Sequence, residues 1–267
     1  INFAFVLGNY FSKKDCEMLQ ESIAVKDVSP FHISTPSELL ETPKEYQDLV
    51  KRQLTAHAEG ELSGADDYVK LFYFLTNDPY EKAVCCELAK DELDHYQRAA
   101  DILLDIGIDT SFMLSQNLND RAFYATEAVK SCRNWAERAL ISTLVEDAVI
   151  DVLEEMAQSS YRPIADMCPH VLKDEKLHVG HGFRITRSMC KTKNGFKQIQ
   201  EALIRMWPVT LDTFGRSDSP RSELYVKYGL RQKSYSVARN EFAEKARRKL
   251  EALGLHVPDD TANRKFL

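Results

Sequence analysis

The sequence predicts an all-α protein, and three observations support that reading. Apolar residues recur at helical spacing, as Leu49, Leu54, Ala58 and Leu62 do in residues 45–63 and Leu140, Leu144, Ala148 and Val152 do in residues 135–158. Runs of alternating polar and apolar residues, the mark of a half-buried strand, are almost absent. Helix punctuation is explicit: Asn77-Asp78-Pro79 opens one helix and Gly107 stops it.

Taken in order, residues 2–25 form a first amphipathic segment, and residues 27–43, with their prolines and serines, an ordered connector. A helix over 45–63 follows, then one over 79–105. Residues 110–119 are irregular and 120–130 a short helical piece. Asn134 is placed to cap a helix over 135–158, and Ser160 with Pro163 opens another that runs to Cys190. Three shorter helices are expected around 194–214, 219–229 and 236–253, the last stopped by Gly254. Residues 1–267 read as a single domain.

A hydrophobic fraction of 44% suffices for a sizeable core, and 28% charged residues is ordinary for a globular protein. The net charge of −6 argues against a nucleic-acid groove or an anionic membrane as partner. No apolar stretch approaches the ~20 residues that span a bilayer, and the apolar opening Ile1 to Leu7 lacks a basic leader. Cys16, Cys85, Cys86, Cys132, Cys168 and Cys190 show no metal or redox spacing, so buried reduced thiols are expected, in keeping with the cytoplasm. No glycine-rich phosphate loop or dinucleotide fingerprint is present.

Chemistry concentrates in two copies of D-E-x-x-H, Asp91-Glu92-Leu93-Asp94-His95 and Asp174-Glu175-Lys176-Leu177-His178. In a helix, residues three apart share a face, so the glutamate and histidine of each copy point the same way. Glu61 precedes Glu92 by 31 residues and Glu146 precedes Glu175 by 29. Four helices presenting one carboxylate each, two of them adding a histidine, match a ferritin-like four-helix bundle with a dimetal site, its core at about 45–190 and further helices at both ends. The near-equal spacing predicts pseudo-twofold roles. Glu92 and Glu175 bridge two metals; Glu61 and His95 complete one, Glu146 and His178 the other.

This oxygen–nitrogen set suits two iron ions, with manganese or a mixed pair also compatible, and O2 as co-substrate. Asp91 and Asp174 are expected to pair crosswise with the outer ring nitrogens of His178 and His95. His57 either lines the site or is a core histidine, and His181 is a ligand only on a shifted register. Gly180 and Gly182 either admit a close neighbour or ease packing. Asp94, Glu154 and Glu155, His170, His256 and the cluster Lys245, Arg247, Arg248 and Lys249 read as exposed or structural, the last a solvated helix face.

The chain also resembles a known family, the catalytic subunit of the bacterial ring-1,2-phenylacetyl-CoA epoxidase. The resemblance runs from about Leu49 to Asp259. It rests on Arg52-Gln53-Leu54, His57-Ala58 and Glu61, on Lys90 to His95, on Trp135 eleven residues before Glu146, and on Ser160-Tyr161. It continues through Lys173 to His178, Gly182-Phe183, Met206-Trp207-Pro208, Phe214-Gly215, Leu253-Gly254-Leu255 and Val257-Pro258-Asp259. It implies a di-iron monooxygenase that epoxidises an aromatic acyl-CoA thioester, served by a separate electron-donating reductase and a related non-catalytic helical subunit.

Two departures stand out. Glu146 occupies a position where the family tends to have aspartate. Of the residues with which the family grips CoA, Arg52 is kept, while Ala56, Leu88 and Gly229 replace a glutamine and two lysines; Lys227, Arg231 and Lys233 are candidates to compensate. Readings from other classes are a di-iron oxygenase of a non-CoA small molecule, a ferritin-like iron-handling protein, and a supporting subunit.

Overall fold

Long helices with explicit caps account for most of the computed structural model, which describes residues 32–121 and 130–266. The chain divides into two units, Ile1–Pro30 and Phe31–Leu267. The expectations for residues 2–25, for Cys16 and for most of 120–130 therefore fall outside the described residues. Among the described residues no strand forms; the one β-type contact is an isolated parallel bridge between Ile33 and Tyr161.

The connector holds a short helix, α1 (Pro36–Leu40), capped by Thr35, whose hydroxyl accepts from the Glu38 amide while the Glu38 carboxylate accepts from the Thr35 amide. Helix α2 (Lys44–Lys70) runs two turns past the expected end, because Gly64 does not interrupt it. Helix α3 (Pro79–Asp105) begins as the sequence predicts. The Asp78 side chain accepts from the Tyr80 amide at 2.9 Å, Pro79 fills the first turn, and Gly107 at φ +81° lies just beyond the end.

The expected helix over 135–158 is interrupted. Asn134 caps α4 (Trp135–Leu140) by accepting from the Glu137 amide, a π-helical segment Ile141–Val145 follows, and α5 (Glu146–Met156) resumes. Periodicity cannot register such a one-residue widening of a turn, and these segments occur often at functional sites.

Helix α6 (Arg162–Met189) carries the second motif. Ser160 does not cap it. Its hydroxyl instead donates to the Tyr228 carbonyl at 2.7 Å, and its amide to the Gly229 carbonyl, so the entry to α6 is tied to the bridging residue Ile33 and to the C-terminal region. Helices α7 (Lys193–Asp212), α8 (Pro220–Lys227) and α9 (Tyr235–Glu251) complete the order.

Helix α2 lies along α3, α4 and α5 lie along α6, and α3 and α6 bring the pairs together. Two apolar clusters form the core. One contains Tyr68, Ala89, Leu144, Ala148, Ile185 and Trp207; the other Leu54, Ala58, Leu62, Tyr96, Leu153 and Val171. On α3 the chain passes from Ala89 in the first cluster through Glu92 and His95 to Tyr96 in the second, and α6 passes from Val171 through Glu175 and His178 to Ile185. Each D-E-x-x-H motif thus sits at the crossing between two apolar masses, where ionised side chains need a partner.

Several charged residues expected on solvated faces instead have partners on other elements, Glu155 buried, Lys245 and Arg247 half-buried and Lys249 exposed. Glu155 accepts from Arg231 and from the amides of Gln232 and Lys233, which anchors the segment before α9. Lys245 and Lys249 reach across from α9 to Asp147 on α5, and Lys245 also to Asp151, so that part of the helix faces a neighbour. Arg247 lies 5.4 Å from the Trp207 ring centre and pairs with Asp260. Each of these partners is distant in sequence, which is why single-helix patterning assigned the residues to solvent. Glu154, Arg248, Asp94, His170 and His256 are exposed. Among the described cysteines, Cys85, Cys132 and Cys168 are buried and Cys190 half-buried, but Cys86 is exposed; adjacent helical residues cannot both face inward.

Candidate metal centre

Helices α2, α3 and α6 bring Glu61, Glu92, His95 and Glu175 together so closely that one ligand atom from each lies within 4.8 Å of all the others. All four are buried. His95 Nδ1 lies 3.2 Å from Glu61 Oε2, 3.5 Å from Glu175 Oε1 and 3.8 Å from Glu92 Oε2. His178 closes the group from α6, its Nδ1 3.3 Å from Glu92 Oε1 and 3.8 Å from Glu175 Oε1. Glu92 and Glu175 therefore touch both histidines, whereas the Glu61 contact is with His95.

The outer ring nitrogens point the other way. His95 Nε2 faces Asp174 Oδ2 at 3.6 Å and His178 Nε2 faces Asp91 Oδ2 at 3.5 Å, so each aspartate serves the histidine of the other copy. The first separation exceeds a hydrogen bond, which leaves His95 Nε2 without one. Asp174 is also approached by His170 Nε2 at 3.9 Å; His170 is 45% exposed and contacts Asp94 and Arg98 on α3.

Glu146 stands apart from the tight group and is half-buried. It is the first residue after the π segment, where Oε1 accepts from the Tyr68 hydroxyl at 2.6 Å and from Ser142 at 3.1 Å, while Oε2 has no partner. Its charge nonetheless acts on Glu175 and His178.

With only these side chains to balance one another, protons take the counter-charge role. Burial and the charges of Glu175 and Glu61 push Glu92 up to about 8, and burial also raises Glu175. Burial opposes charge on both histidines, but their bonds to the carboxylates outweigh it, taking His178 up to about 10 and raising His95 as well. Burial would raise Glu61, yet His57 and His95 hold it well below the usual carboxylate range. A cluster that gathers protons this strongly is one that divalent cations can replace them in.

The residues fit a dimetal centre on three counts. The donors are carboxylate oxygens and imidazole nitrogens, the set for iron or manganese. Glu146 Oε2 is a buried polar atom with no hydrogen-bond partner, and His178 Nδ1, 3.3 Å from Glu92 Oε1, makes no well-directed hydrogen bond. The Nδ1 atoms converge inward while the Nε2 atoms face aspartates, the orientation that fixes a ligating tautomer.

The sequence profile of a family described as phenylacetic acid catabolic protein matches residues 37–266. The chain belongs to that family. One relative, a component of the 1,2-phenylacetyl-CoA epoxidase of Escherichia coli (strain K12), is 25% identical over 222 residues, which cover 81% of this chain and 71% of that protein. The family's matched range includes both D-E-x-x-H copies, Glu61 and Glu146.

Other sequence candidates now have places. His57 lines the site, its Nδ1 3.0 Å from Glu61 Oε1 and its Nε2 buried without a partner. His181 does not; it is held between Arg138 and Glu81, and burial together with the Arg138 charge lowers it to about 4. Gly182 admits a close neighbour. A Cβ there would sit 2.5 Å from that of Ser142, so α6 packs directly on the π segment, whereas Gly180 faces open space.

Arg52 is exposed, and its charge together with those of Arg221 and Arg231 acts on the buried hydroxyl of Tyr225. Arg231 and Lys233 are engaged by Glu155 and Glu241, whereas Arg52 and Lys227 have no carboxylate partner among the described residues.

Sequence reading missed Tyr68, Ser142, Arg138 and Gly64. The buried Arg138 guanidinium lies 5.0–5.9 Å from the rings of Trp135, Tyr68 and Phe72. A Cβ on Gly64 would meet the Glu92 carboxyl at 3.1 Å, so a larger residue there would press that carboxylate a few tenths of an ångström from its place. The single available signal was Gly64 itself, three residues after Glu61 on the same face.

Proposed function

We propose that this chain is the catalytic subunit of an O2-dependent di-iron monooxygenase that inserts one oxygen atom into an aromatic acyl-CoA thioester. The observation that bears most weight is the buried ring of Glu61, Glu92, His95 and Glu175, closed by His178, in a chain of the phenylacetic acid catabolic family. A relative named as part of an epoxidase supports an oxidoreductase and a multi-subunit setting.

Glu61 with His95 would hold one iron, Glu146 with His178 the other, and Glu92 and Glu175 both. Bound there, the iron pair supplies the electrons and the open coordination needed to activate O2. The chain's own contribution is arrangement. Asp174 and Asp91 favour the tautomer that leaves each Nδ1 free to ligate. The Tyr68 hydroxyl fixes one oxygen of Glu146 and leaves the other available. The two apolar clusters on either side exclude water, which strengthens every charge interaction inside. Glu92, Glu175, His95 and His178, which hold protons more strongly than usual, would release them as cations enter.

Arg52 and Lys227 are the basic residues left to meet the CoA phosphates, since Arg231 and Lys233 are committed elsewhere. An electron-donating reductase and a related helical subunit complete the expected assembly. The five described cysteines are all free thiols, which supports a cytoplasmic setting. Among the described residues no helix is long and apolar enough to cross a membrane.

The test is metal content per chain by mass spectrometry, on protein grown with iron and purified without chelator. Close to two irons supports the reading; none after anaerobic Fe(II) loading overturns it. A CoA thioester that raises the melting temperature, compared with the free aromatic acid, supports the substrate class, and no shift at millimolar ester removes CoA from the proposal.

A further inference from the structure

A second charged site lies far along the chain from the carboxylate ring, where the end of α7, the start of α9 and the tail at 259–266 enclose a cavity of about 190 Å³. Arg239 and Arg264 line it together with Ser217, Asn240, Asp260 and Thr261. Arg239 is 7% exposed, and among the described residues no carboxylate lies within ion-pair distance of it. Its contacts are neutral: Nη2 donates to Ser217 Oγ at 2.8 Å and Nη1 to the Gly215 carbonyl at 3.5 Å. A guanidinium so nearly buried is ordinarily paired.

The neighbouring carboxylates are already occupied. Asp212 accepts from Arg264 Nε at 2.9 Å and from the amides of Lys265 and Phe266. Asp260 accepts from Trp207 Nε1 at 3.0 Å and from Arg247 at 2.6 Å. Among the described residues the charges around the cavity are Arg239, Arg247 and Arg264 against Asp212 and Asp260, and Arg239 is the one without a carboxylate at ion-pair distance. Arg264 repels it, and burial with this repulsion lowers the Arg239 pKa.

We propose that this cavity is a binding site for a small oxyanion, phosphate or a carboxylate, held by Arg239 and Arg264 and by the donors of Ser217, Asn240 and Thr261, with Asp260 kept to its own arginine and tryptophan partners. Guanidinium groups recognise such groups through paired N–H donors. Size excludes a larger ligand, since drug- and cofactor-sized pockets occupy about 300–1,000 Å³. The bound anion ties the loop after α7 to α9 and to the tail, so occupancy stabilises the C-terminal region independently of the metal centre.

Thermal unfolding of the full chain in inorganic phosphate, in acetate and in sodium chloride at matched ionic strength tests this, with isothermal titration of phosphate alongside. The expected result is a saturating rise of about 3 °C in phosphate beyond the chloride control. Arg239→Gln, which removes the charge, and Asn240→Leu, which replaces a polar lining donor with an apolar group without touching an Arg239 contact, should both abolish it. Equal rises in phosphate and acetate assign the site to carboxylates as well as phosphate. If Arg239→Gln does not fold, Asn240→Leu decides alone. A phosphate effect no larger than that of chloride, or one that Asn240→Leu retains in full, overturns the proposal.

Discussion

Glu61 and Glu146 hold equivalent places in the two halves of a duplicated sequence pattern, yet the halves are built differently around them. In the first half, Glu61 is buried between two histidines, His57 and His95, on a regular helix. In the second, no histidine among the described residues lies within ion-pair distance of Glu146, whose charge reaches His178 from farther off; it follows a π segment and rests on two hydroxyls, those of Tyr68 and Ser142. The shared carboxylates Glu92 and Glu175 are symmetric, each in contact with both motif histidines. The aspartates differ again: Asp174 is 18% exposed and backed by His170, and Asp91 is 32% exposed without such a neighbour among the described residues. Symmetry belongs to the centre of the site, and the difference belongs to what surrounds it. On the proposed ligand set, one repeated motif would give two chemically distinct metal positions.

Removing a shared carboxylate should have the largest effect. Glu92→Ala or Glu175→Ala is expected to abolish binding of both metals and all activity; two metals retained by either variant in mass spectrometry would end the sharing assignment. The halves separate under Glu61→Ala and Glu146→Ala. Each should leave about one metal per chain, and Glu146→Ala should preserve the His57–His95 position, visible as a single mononuclear Fe(II) spectrum. Identical spectra from the two variants would mean that the asymmetry has no bearing on the metals.

A smaller effect is expected from the aspartates. Asp174→Asn and Asp91→Asn should weaken metal affinity about 10–100-fold by competition with a chelating dye, and Asp174→Asn, the more buried, should cost more. The smallest test compares two glycines on one helix. Gly182→Ala should destabilise by about 1–3 kcal/mol through overpacking against Ser142. Gly180→Ala faces open space and should be neutral or stabilising by up to about 1 kcal/mol in urea denaturation.

The centre of the site was legible because its logic is local. A glutamate and a histidine three residues apart must share a helix face, and two copies with matched partners define a constellation without any tertiary information. The helices around it were legible for the same reason, down to the Asp78 and Asn134 caps. The surroundings were not. The Tyr68–Glu146 bond spans 78 residues and the Arg231–Glu155 pair 76, and no period in the sequence links such partners. Glu155 and Lys245 read as solvated because charge alone does not say which neighbour will arrive. The room that Gly64 leaves for Glu92 appears only once α2 and α3 are packed.

The π segment at Ile141–Val145 also bears on how this protein can change by inheritance. A π turn has the form of an α-helix with one residue too many, so loss of a single codon there would straighten the helix. The widened turn has already taken up the extra residue, so the residues before and after it would keep their facing. Arg138, boxed by Tyr68, Phe72 and Trp135, lies on one side of the segment, and Glu146, bonded to that same Tyr68, lies on the other. Tyr68 could keep both partners through such a loss, whereas Ser142, inside the segment, would give up its place against Gly182 and Glu146, so the cost of losing the bulge falls on that one residue.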